Sequence, residues 1–136
     1  AAYAERMKSL GNELGIADRL AWLPAQSAME QVYPKLGVVV STSSFGEGFS
    51  NVLGEAMSCG IPAIASDVGD SALILGDCGK VFPRGSSAEL AHHLIELGSQ
   101  SAAERAALSR RCRQRIVENF SMANLVSKTS TALRAL

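Results

Sequence analysis

The sequence has little of what would indicate a membrane, nucleic-acid or metal-binding protein. Aromatic residues are only 5% of its 136 positions, and no apolar run approaches the roughly 18 residues that span a bilayer. Its 13 basic residues balance 13 acidic ones, so net charge gives no support for a nucleic-acid or membrane-surface partner. The three cysteines, Cys59, Cys78 and Cys112, form no CxxC or other metal spacing. We therefore expect no metal site, no cofactor and no nucleic-acid partner.

The rest of the composition is that of an ordinary globular domain. Hydrophobic residues make up 47% of the chain and charged residues 19%, and this length suffices for one hydrophobic core. Scattered cysteines suit the reduced thiols of the cytosol, so we expect a cytoplasmic protein. The opening stretch "AAYAERMKSLG" lacks the shape of a signal peptide and is typical of a helix entered midway. We therefore expect the chain to be a piece of a longer protein.

Apolar β-branched runs alternate with helical patterns along the chain. Helices are predicted at the N-terminus, in "SAMEQVYPKL", in "NVLGEAMSCG", over residues 70–75, and in three C-terminal segments that begin at residues 86–87, 101 and 121. Strands are predicted for "RLAWLP" at 19–24, "GVVVST" at 37–42, "IPAIASD" at 61–67 and "GKVFP" at 79–83. Such alternation predicts parallel strands joined by right-handed crossovers, which is an α/β domain.

The loop that follows "GVVVST" carries the first candidate binding site. Ligands of parallel α/β sheets bind beyond the carboxyl ends of the strands. Gly46 and Gly48 permit a tight turn and leave room for a ligand, and a helix is predicted to begin near Ser50 or Asn51. The first amides of a helix have no internal partner and lie at the positive end of the helix dipole. This arrangement predicts an anion site suited to phosphate, although the same two residues could simply cap the helix.

Two glutamates, Glu47 and Glu55, flank that helix start eight positions apart. A carboxylate repels phosphate but accepts hydrogen bonds from hydroxyl groups, often two at once. A diphosphate with hydroxyls on both sides, as in a nucleotide sugar, would satisfy the whole layout. The alternative is that both are solvated acids, since acidic residues favour the first turn of a helix.

The stretch "EGFSNVLGEAMSCGIPAIASDVGD" resembles the donor-binding signature of the retaining GT-B glycosyltransferases of family four, the group 1 glycosyl transferases. The matching positions are Glu47, Glu55, the Ala-Met pair that follows, and Gly60 and Pro62 of a Gly-x-Pro turn. "GDCGKVFP" and "ENFS" resemble later, weaker motifs of the family. The resemblance covers nearly the whole chain from about Leu20, and it implies a Rossmann-like parallel sheet with helices on both faces, the C-terminal half of a GT-B fold.

The resemblance also assigns roles to individual positions. It implies that Glu47 holds hydroxyls of the donor sugar and is the catalytic position, and that Glu55 holds the ribose hydroxyls. The remaining substrate-binding positions would supply backbone amides to the distal phosphate and a turn beneath the base: Gly48, Phe49, Ser50 and Asn51 for the phosphate, and Leu23 and Pro24 for the base. The family needs no metal for this binding, and the chain shows no acidic Asp-x-Asp cluster.

The implied function is that of one half of an enzyme. Residues 1–136 would form a single donor-binding domain of a retaining glycosyltransferase, and its N-terminal acceptor domain and basic Arg/Lys phosphate pair are not in the chain. The whole enzyme would move a sugar from a UDP-, GDP- or ADP-sugar to an acceptor, in cell-surface polysaccharide or lipopolysaccharide synthesis. We expect the isolated domain to be inactive. The whole enzyme could associate with the inner face of the membrane only through its N-terminal half. The alternative is a sugar-nucleotide epimerase or a non-catalytic nucleotide-binding module of the same architecture.

Four further features of the sequence lie outside these assigned roles. Glycine inside a helix costs roughly 1 kcal/mol relative to alanine, so Gly54 implies close approach of a ligand or of a neighbouring backbone, and the alternative is an ordinary packing glycine. Adjacent histidines point to different faces of a helix, which argues against a metal shared by His92 and His93. The arginines of "RRCRQR" are expected to be solvated, and Trp22 to lie in the core or in a cleft wall.

Overall fold

The computed structural model describes residues 2–46 and 48–135, and its centre is a parallel sheet of three strands. The strands are β1 (Val39–Ser41), β2 (Ala63–Ser66) and β3 (Lys80–Phe82), in the order β1-β2-β3. Both neighbouring pairs are parallel. The predicted α/β class and three of the four predicted strands are therefore confirmed.

The described part of the chain contains six α-helices. They are α1 (Ala2–Glu13), α2 (Asn51–Ser58), α3 (Ser71–Leu75), α4 (Ser87–Gly98), α5 (Ala102–Phe120) and α6 (Met122–Arg134). Serine side chains cap α4, α5 and α6, and Ser101 forms a full capping box with Glu104. Among the described helices, none is long and apolar enough to cross a membrane.

The core lies between one face of the sheet and helices α2, α3 and α5. Ala63 and Ala65 belong to this face, and both are fully buried. The largest side chains packed against them have no exposed surface: Leu53, Met57, Ile74, Leu75 and Cys112. On the opposite face, Ile64 is paired in register with Lys80, which binds Glu96 of α4 at 2.8 Å. Helices therefore lie on both faces of the sheet, as the resemblance implies.

The predicted strand "RLAWLP" is wrong. Residues 20–26 have no regular structure, and Trp22 is 51% exposed rather than in the core. A strand needs a neighbour that accepts and donates its backbone hydrogen bonds. Among the described residues no strand pairs with this segment, so its β-forming composition is not sufficient to form a strand.

The predicted helix "SAMEQVYPKL" is also corrected. Two short 3₁₀ turns, Met29–Gln31 and Tyr33–Lys35, take its place, and Ser27 does not cap either of them. Pro34 has no backbone N–H, and its ring disfavours the helical conformation in the residue before it. The segment therefore breaks at its centre, and the break directs Tyr33 into the core, where it is 3% exposed.

The arginines of α5 are not merely solvated, contrary to the expectation. Arg115 donates from Nε to the carbonyl of Ile74 at 2.7 Å and also binds Leu73, and Arg113 binds the carbonyl of Ser58. These carbonyls lie at the C-terminal ends of α3 and α2, where a helix has no internal partner for them. The arginines thus stabilise the ends of both helices that follow strands β1 and β2.

Candidate functional site

The loops at the carboxyl ends of the three strands are tied together by hydrogen bonds. We call residues 42–46, 48–50, 67–70 and 83–86 the carboxyl-end loops. Ser66 Oγ donates to the carbonyl of Ser43 at 2.6 Å, and Arg84 Nη1 donates to the carbonyl of Ser44 at 2.8 Å. These two bonds attach the start of the first loop to β2 and to the loop after β3.

The far end of the first loop is held as well. The backbone N–H of Asp70 donates to the carbonyl of Gly48 at 3.3 Å. Gly46 has a φ of +77°, which favours glycine, and a Cβ built on Gly46 or on Gly48 would meet no atom within 4 Å. The loop therefore passes an open space that no described side chain from another element fills.

The N-terminus of α2 follows this loop, and no side chain of a described residue caps it. Ser50 is the N-cap residue, yet its side chain makes no capping bond to the first amides of α2. Ser86 and Ser101, in contrast, accept hydrogen bonds from the first amides of α4 and α5. The first turn of α2 therefore offers N–H groups and the positive end of a helix dipole to an anion.

Phe49 explains the glycine inside α2. A Cβ on Gly54 would lie 3.3 Å from Phe49 Cε1, a tighter approach than side chains normally make. The Phe49 ring also packs against Phe120 of α5, with ring centroids 5.3 Å apart. The group nearest to a Cβ on Gly54 is thus the side chain of Phe49, which supports the interpretation of Gly54 as a packing glycine. This contact fixes where the loop enters the helix.

Glu55 lies on the exposed surface of α2, one turn beyond the uncapped amides. Its Oε2 accepts a hydrogen bond of 3.0 Å from the hydroxyl of Tyr33. Burial, followed by the bond to Glu55 and the repulsion of its charge, raises the pKa of Tyr33 to about 12. Beside this pair lies a cavity of about 290 Å³ lined by Ser27, Met29, Glu30, Tyr33, Glu55, Ser58 and Cys59.

The sequence-predicted site residues have different outcomes. Glu47 lies outside the described residues, so its predicted position stays a prediction. Gly48, Phe49, Ser50, Asn51 and Glu55 come together at the start of α2. Leu23 is 71% exposed on the irregular segment, and Pro24 accepts a bond from Gln26 Nε2 at 2.9 Å. From this region, Ser27 lines the cavity beside Glu55.

Tyr33 is the residue that sequence reasoning missed. It lies 22 positions before Glu55, and no helical or strand spacing connects the two. The one available signal was Pro34, because a break in the predicted helix leaves a buried tyrosine free to point elsewhere.

A second polar cluster lies on α4. His92, His93 and Glu96 have possible metal-ligating atoms within 4.8 Å of one another, so the adjacent histidines do not diverge as expected. Lys80 Nζ already pairs with Glu96 at 2.8 Å, which places a positive charge where a cation would bind. The cluster is therefore poorly suited to a metal ion.

The parallel sheet with helices on both faces defines an α/β fold, and the candidate anion site lies at the carboxyl ends of its strands. A family model described as "Glycosyl transferases group 1" matches residues 2–100. The chain therefore belongs to the group 1 glycosyl transferases, a family of enzymes, and the resemblance is confirmed at this level.

Individual relatives agree with the family. The chain is 37% identical over 73 residues to a D-inositol 3-phosphate glycosyltransferase of Mycobacteroides abscessus, covering 52% of this chain and 16% of that protein. It is 40% identical over 67 residues to a lipopolysaccharide 1,6-galactosyltransferase of Escherichia coli, covering 46% of this chain and 18% of that protein. The matched region is thus less than a fifth of these relatives' length.

Solved structures confirm the fold class. Anabaena HepE in complex with UDP superposes with a TM-score of 0.88 at 23% identity, covering 99% of this chain and 37% of that one. Sucrose-phosphate synthase of Thermosynechococcus elongatus gives a TM-score of 0.84 at 25% identity, covering 99% of this chain and 34% of that one. The chain therefore has the fold of about a third of each of these GT-B proteins.

Proposed function

We propose that this chain is the donor-binding domain of a retaining glycosyltransferase that moves a sugar from a nucleotide sugar to an acceptor. The observation that carries the proposal is the uncapped N-terminus of α2 beside the exposed carboxylate of Glu55. An anion site next to a hydroxyl-binding group matches a phosphate next to a ribose. The family match favours a transferase over the epimerase and the non-catalytic module.

The diphosphate of the donor would bind the first turn of α2. The amides of Gly48, Phe49, Ser50 and Asn51 would donate to its distal phosphate, and the helix dipole would favour its charge. Neither glycine of the loop presents a side chain that would block the approach. The contact between Phe49 and Gly54 would keep these amides in place without the ligand.

The carboxylates would then flank the diphosphate. Glu55 would accept hydrogen bonds from the ribose hydroxyls, and Glu47 would accept bonds from the hydroxyls of the donor sugar. The base would extend towards the irregular segment near Leu23 and Pro24, from which Ser27 lines the cavity beside Glu55.

The chemistry follows from where charge develops. As the glycosidic bond breaks, the leaving diphosphate gains negative charge, and the amides of α2 stabilise this charge more in the transition state than in the ground state. Retention requires the acceptor to attack on the face that the nucleotide leaves. Glu47 would orient the sugar for that attack, while Glu55 anchors the ribose away from the reacting bond.

The pathway is part of the proposal. One relative is named as a lipopolysaccharide galactosyltransferase, which supports a role in cell-surface polysaccharide or lipopolysaccharide synthesis. Another is named as a D-inositol 3-phosphate glycosyltransferase, which supports transfer of a sugar but not a cell-surface acceptor. The fold neighbour solved with UDP supports a nucleotide-sugar donor. The acceptor would bind an N-terminal domain of the whole protein, which would also carry any association with a membrane.

Amide chemical shifts test the proposed site. The isotope-labelled protein would be titrated with UDP, GDP and ADP, and with inorganic phosphate as the control for charge alone. We expect one nucleotide to shift the amides of residues 48–53, and not those of the first turn of α4, which Ser86 already caps. Shifts confined to α4, or equal shifts with phosphate alone, would argue against the proposal.

A further inference from the structure

We propose that Tyr33 is a positioning residue that holds the Glu55 carboxylate in the orientation that binds the nucleotide's ribose. The inference rests on the proposed function, and it assigns a role to a residue outside the donor-binding motif. It also accounts for a hydrogen bond between groups that belong to distant segments of the chain.

The first argument is geometric. Glu55 is an exposed side chain on a helix surface, and such a side chain is free to take several rotamers. The hydroxyl of Tyr33 reaches its Oε2 at 3.0 Å, and Tyr33 itself is held in the core at 3% exposure. A rigid donor thus fixes one oxygen of a mobile carboxylate. Oε1 and the second lone pair of Oε2 stay available for two neighbouring hydroxyls.

The second argument concerns how Tyr33 comes to be rigid. Its 3₁₀ turn, Tyr33–Lys35, has Pro34 at its start, and Pro34 restricts the backbone of the residue before it. Tyr33 belongs to the hydrophobic core cluster, and its ring cannot swing towards solvent without opening a cavity there. The donor is therefore in place before any nucleotide arrives, which lowers the entropy lost on binding.

The third argument is electrostatic. The cavity beside the pair has two carboxylates on its lining, Glu30 and Glu55. Two negative charges repel a phosphate but accept hydrogen bonds from a neutral sugar. The tyrosine hydroxyl is protonated at neutral pH, as an ordinary tyrosine is, and burial and the neighbouring carboxylate raise its pKa further, to about 12. Tyr33 and Glu55 are therefore suited to bind ribose hydroxyls, whereas the phosphate would bind the amides of α2.

The test separates ribose-dependent from ribose-independent affinity. Dissociation constants are measured for the tightest of UDP, GDP and ADP, and for its 2′,3′-dideoxy analogue, with Tyr33→Phe, Glu55→Gln and the double variant. One hydrogen bond corresponds to roughly three- to tenfold in affinity. We expect Tyr33→Phe to weaken ribonucleotide binding by about that factor, to leave the dideoxy analogue unchanged, and to add nothing when Glu55 is already Gln.

Controls keep the outcomes distinct. Tyr3 is 73% exposed on α1, so Tyr3→Phe should change neither affinity. The positioning role is wrong if Glu55→Gln weakens ribonucleotide binding and Tyr33→Phe does not. It is also wrong if Tyr33→Phe weakens binding of the ribonucleotide and of the dideoxy analogue equally. If Glu55→Gln itself has no ribose-dependent effect, the proposed function fails instead. Should Tyr33→Phe not fold, 3-fluorotyrosine placed at position 33 must change ribonucleotide affinity alone, and no change would overturn the inference.

Discussion

The ring of Phe49 occupies the space that a side chain on Gly54 would need. A Cβ at Gly54 would lie 3.3 Å from Phe49 Cε1. Phe49 belongs to the loop that precedes α2, and Gly54 to the helix itself, so one contact links the conformation of the loop to the packing of the helix. A methyl group added at Gly54 would therefore push the Phe49 ring and displace the backbone amides of the loop.

Gly54→Ala should therefore separate stability from binding. Alanine gains up to about 1 kcal/mol of helix propensity, and the displaced Phe49 ring offsets that gain, so we expect little change in the free energy of unfolding. Nucleotide affinity should fall about tenfold, because the amides of residues 48–51 move with the ring. Urea unfolding and calorimetric titration measure the two quantities. Gly98→Ala at the end of α4, where a Cβ meets nothing within 4 Å, is the control that should keep affinity intact.

Substitution of the two glutamates of the motif should change different kinetic constants. In the whole protein, Glu47→Gln should lower kcat by about 100-fold, since it would orient the sugar at the reacting bond. Glu55→Gln should raise the KM for the donor by about tenfold with little change in kcat, because a ribose contact is equally strong in the ground and transition states. Steady-state kinetics with varied donor distinguish the two. The reverse pattern would show that the division of roles is wrong.

Donor binding should not need a metal. The proposed diphosphate contacts are backbone amides, and the one possible metal-ligating cluster among the described residues has Lys80 bound to its Glu96. Donor affinity of the whole protein should survive dialysis against EDTA. A loss that manganese restores would contradict this expectation.

Two glycines with positive φ differ in how much room a methyl group would have. Gly60 and Gly85 have φ values of +77° and +79°. A Cβ on Gly60 would lie 2.5 Å from Ser109 Oγ, whereas one on Gly85 would meet nothing within 4 Å. Each change to alanine should cost about 1–2 kcal/mol of backbone strain, and Gly60→Ala should cost about 1 kcal/mol more. Ser109→Ala should recover part of that excess, and equal costs at both glycines would contradict the packing argument.

Stability should fall at alkaline pH. Burial raises the pKa of the Cys112 thiol from 9.0 to about 12, and the pKa of Tyr33 rises from 10.0 to about 12. Between these values the unfolded chain has lost protons that the folded chain keeps, so the free energy of unfolding decreases as pH rises. The contribution is complete below pH 9 and is lost by about pH 12. In urea unfolding of the reduced protein from pH 8 to 11, Cys112→Ala should flatten the decline above pH 9, and an unchanged slope would contradict the assignment.

The sequence predicted the elements whose partners lie nearby. Strands β1, β2 and β3 and helix α2 follow from apolar runs, capping residues and the glycine at position 60. "RLAWLP" failed because its composition favours a strand, and a strand depends on a neighbour that local sequence does not reveal. The helix around Pro34 failed because one missing N–H outweighed the favourable pattern on both sides.

The sequence predicted the motif residues of the candidate site but not the contacts that hold them in place. Glu55 and the loop glycines were identified from type and spacing, since those depend on one helix start. The contacts that hold them come from distant segments: Tyr33 on Glu55, Phe120 on Phe49, and Arg84 on Ser44. Long-range contacts of this kind depend on packing in three dimensions, which no periodicity of the chain encodes.

A crystal structure of the whole protein with its nucleoside diphosphate tests the central claim most directly. We predict that the distal phosphate lies within about 3 Å of the amides at the start of α2. We also predict that both ribose hydroxyls lie within hydrogen-bond distance of the Glu55 carboxylate, with the Tyr33 hydroxyl still bound to Oε2 of Glu55. A nucleotide bound with its phosphates away from α2, or with its ribose turned from Glu55, would contradict the account.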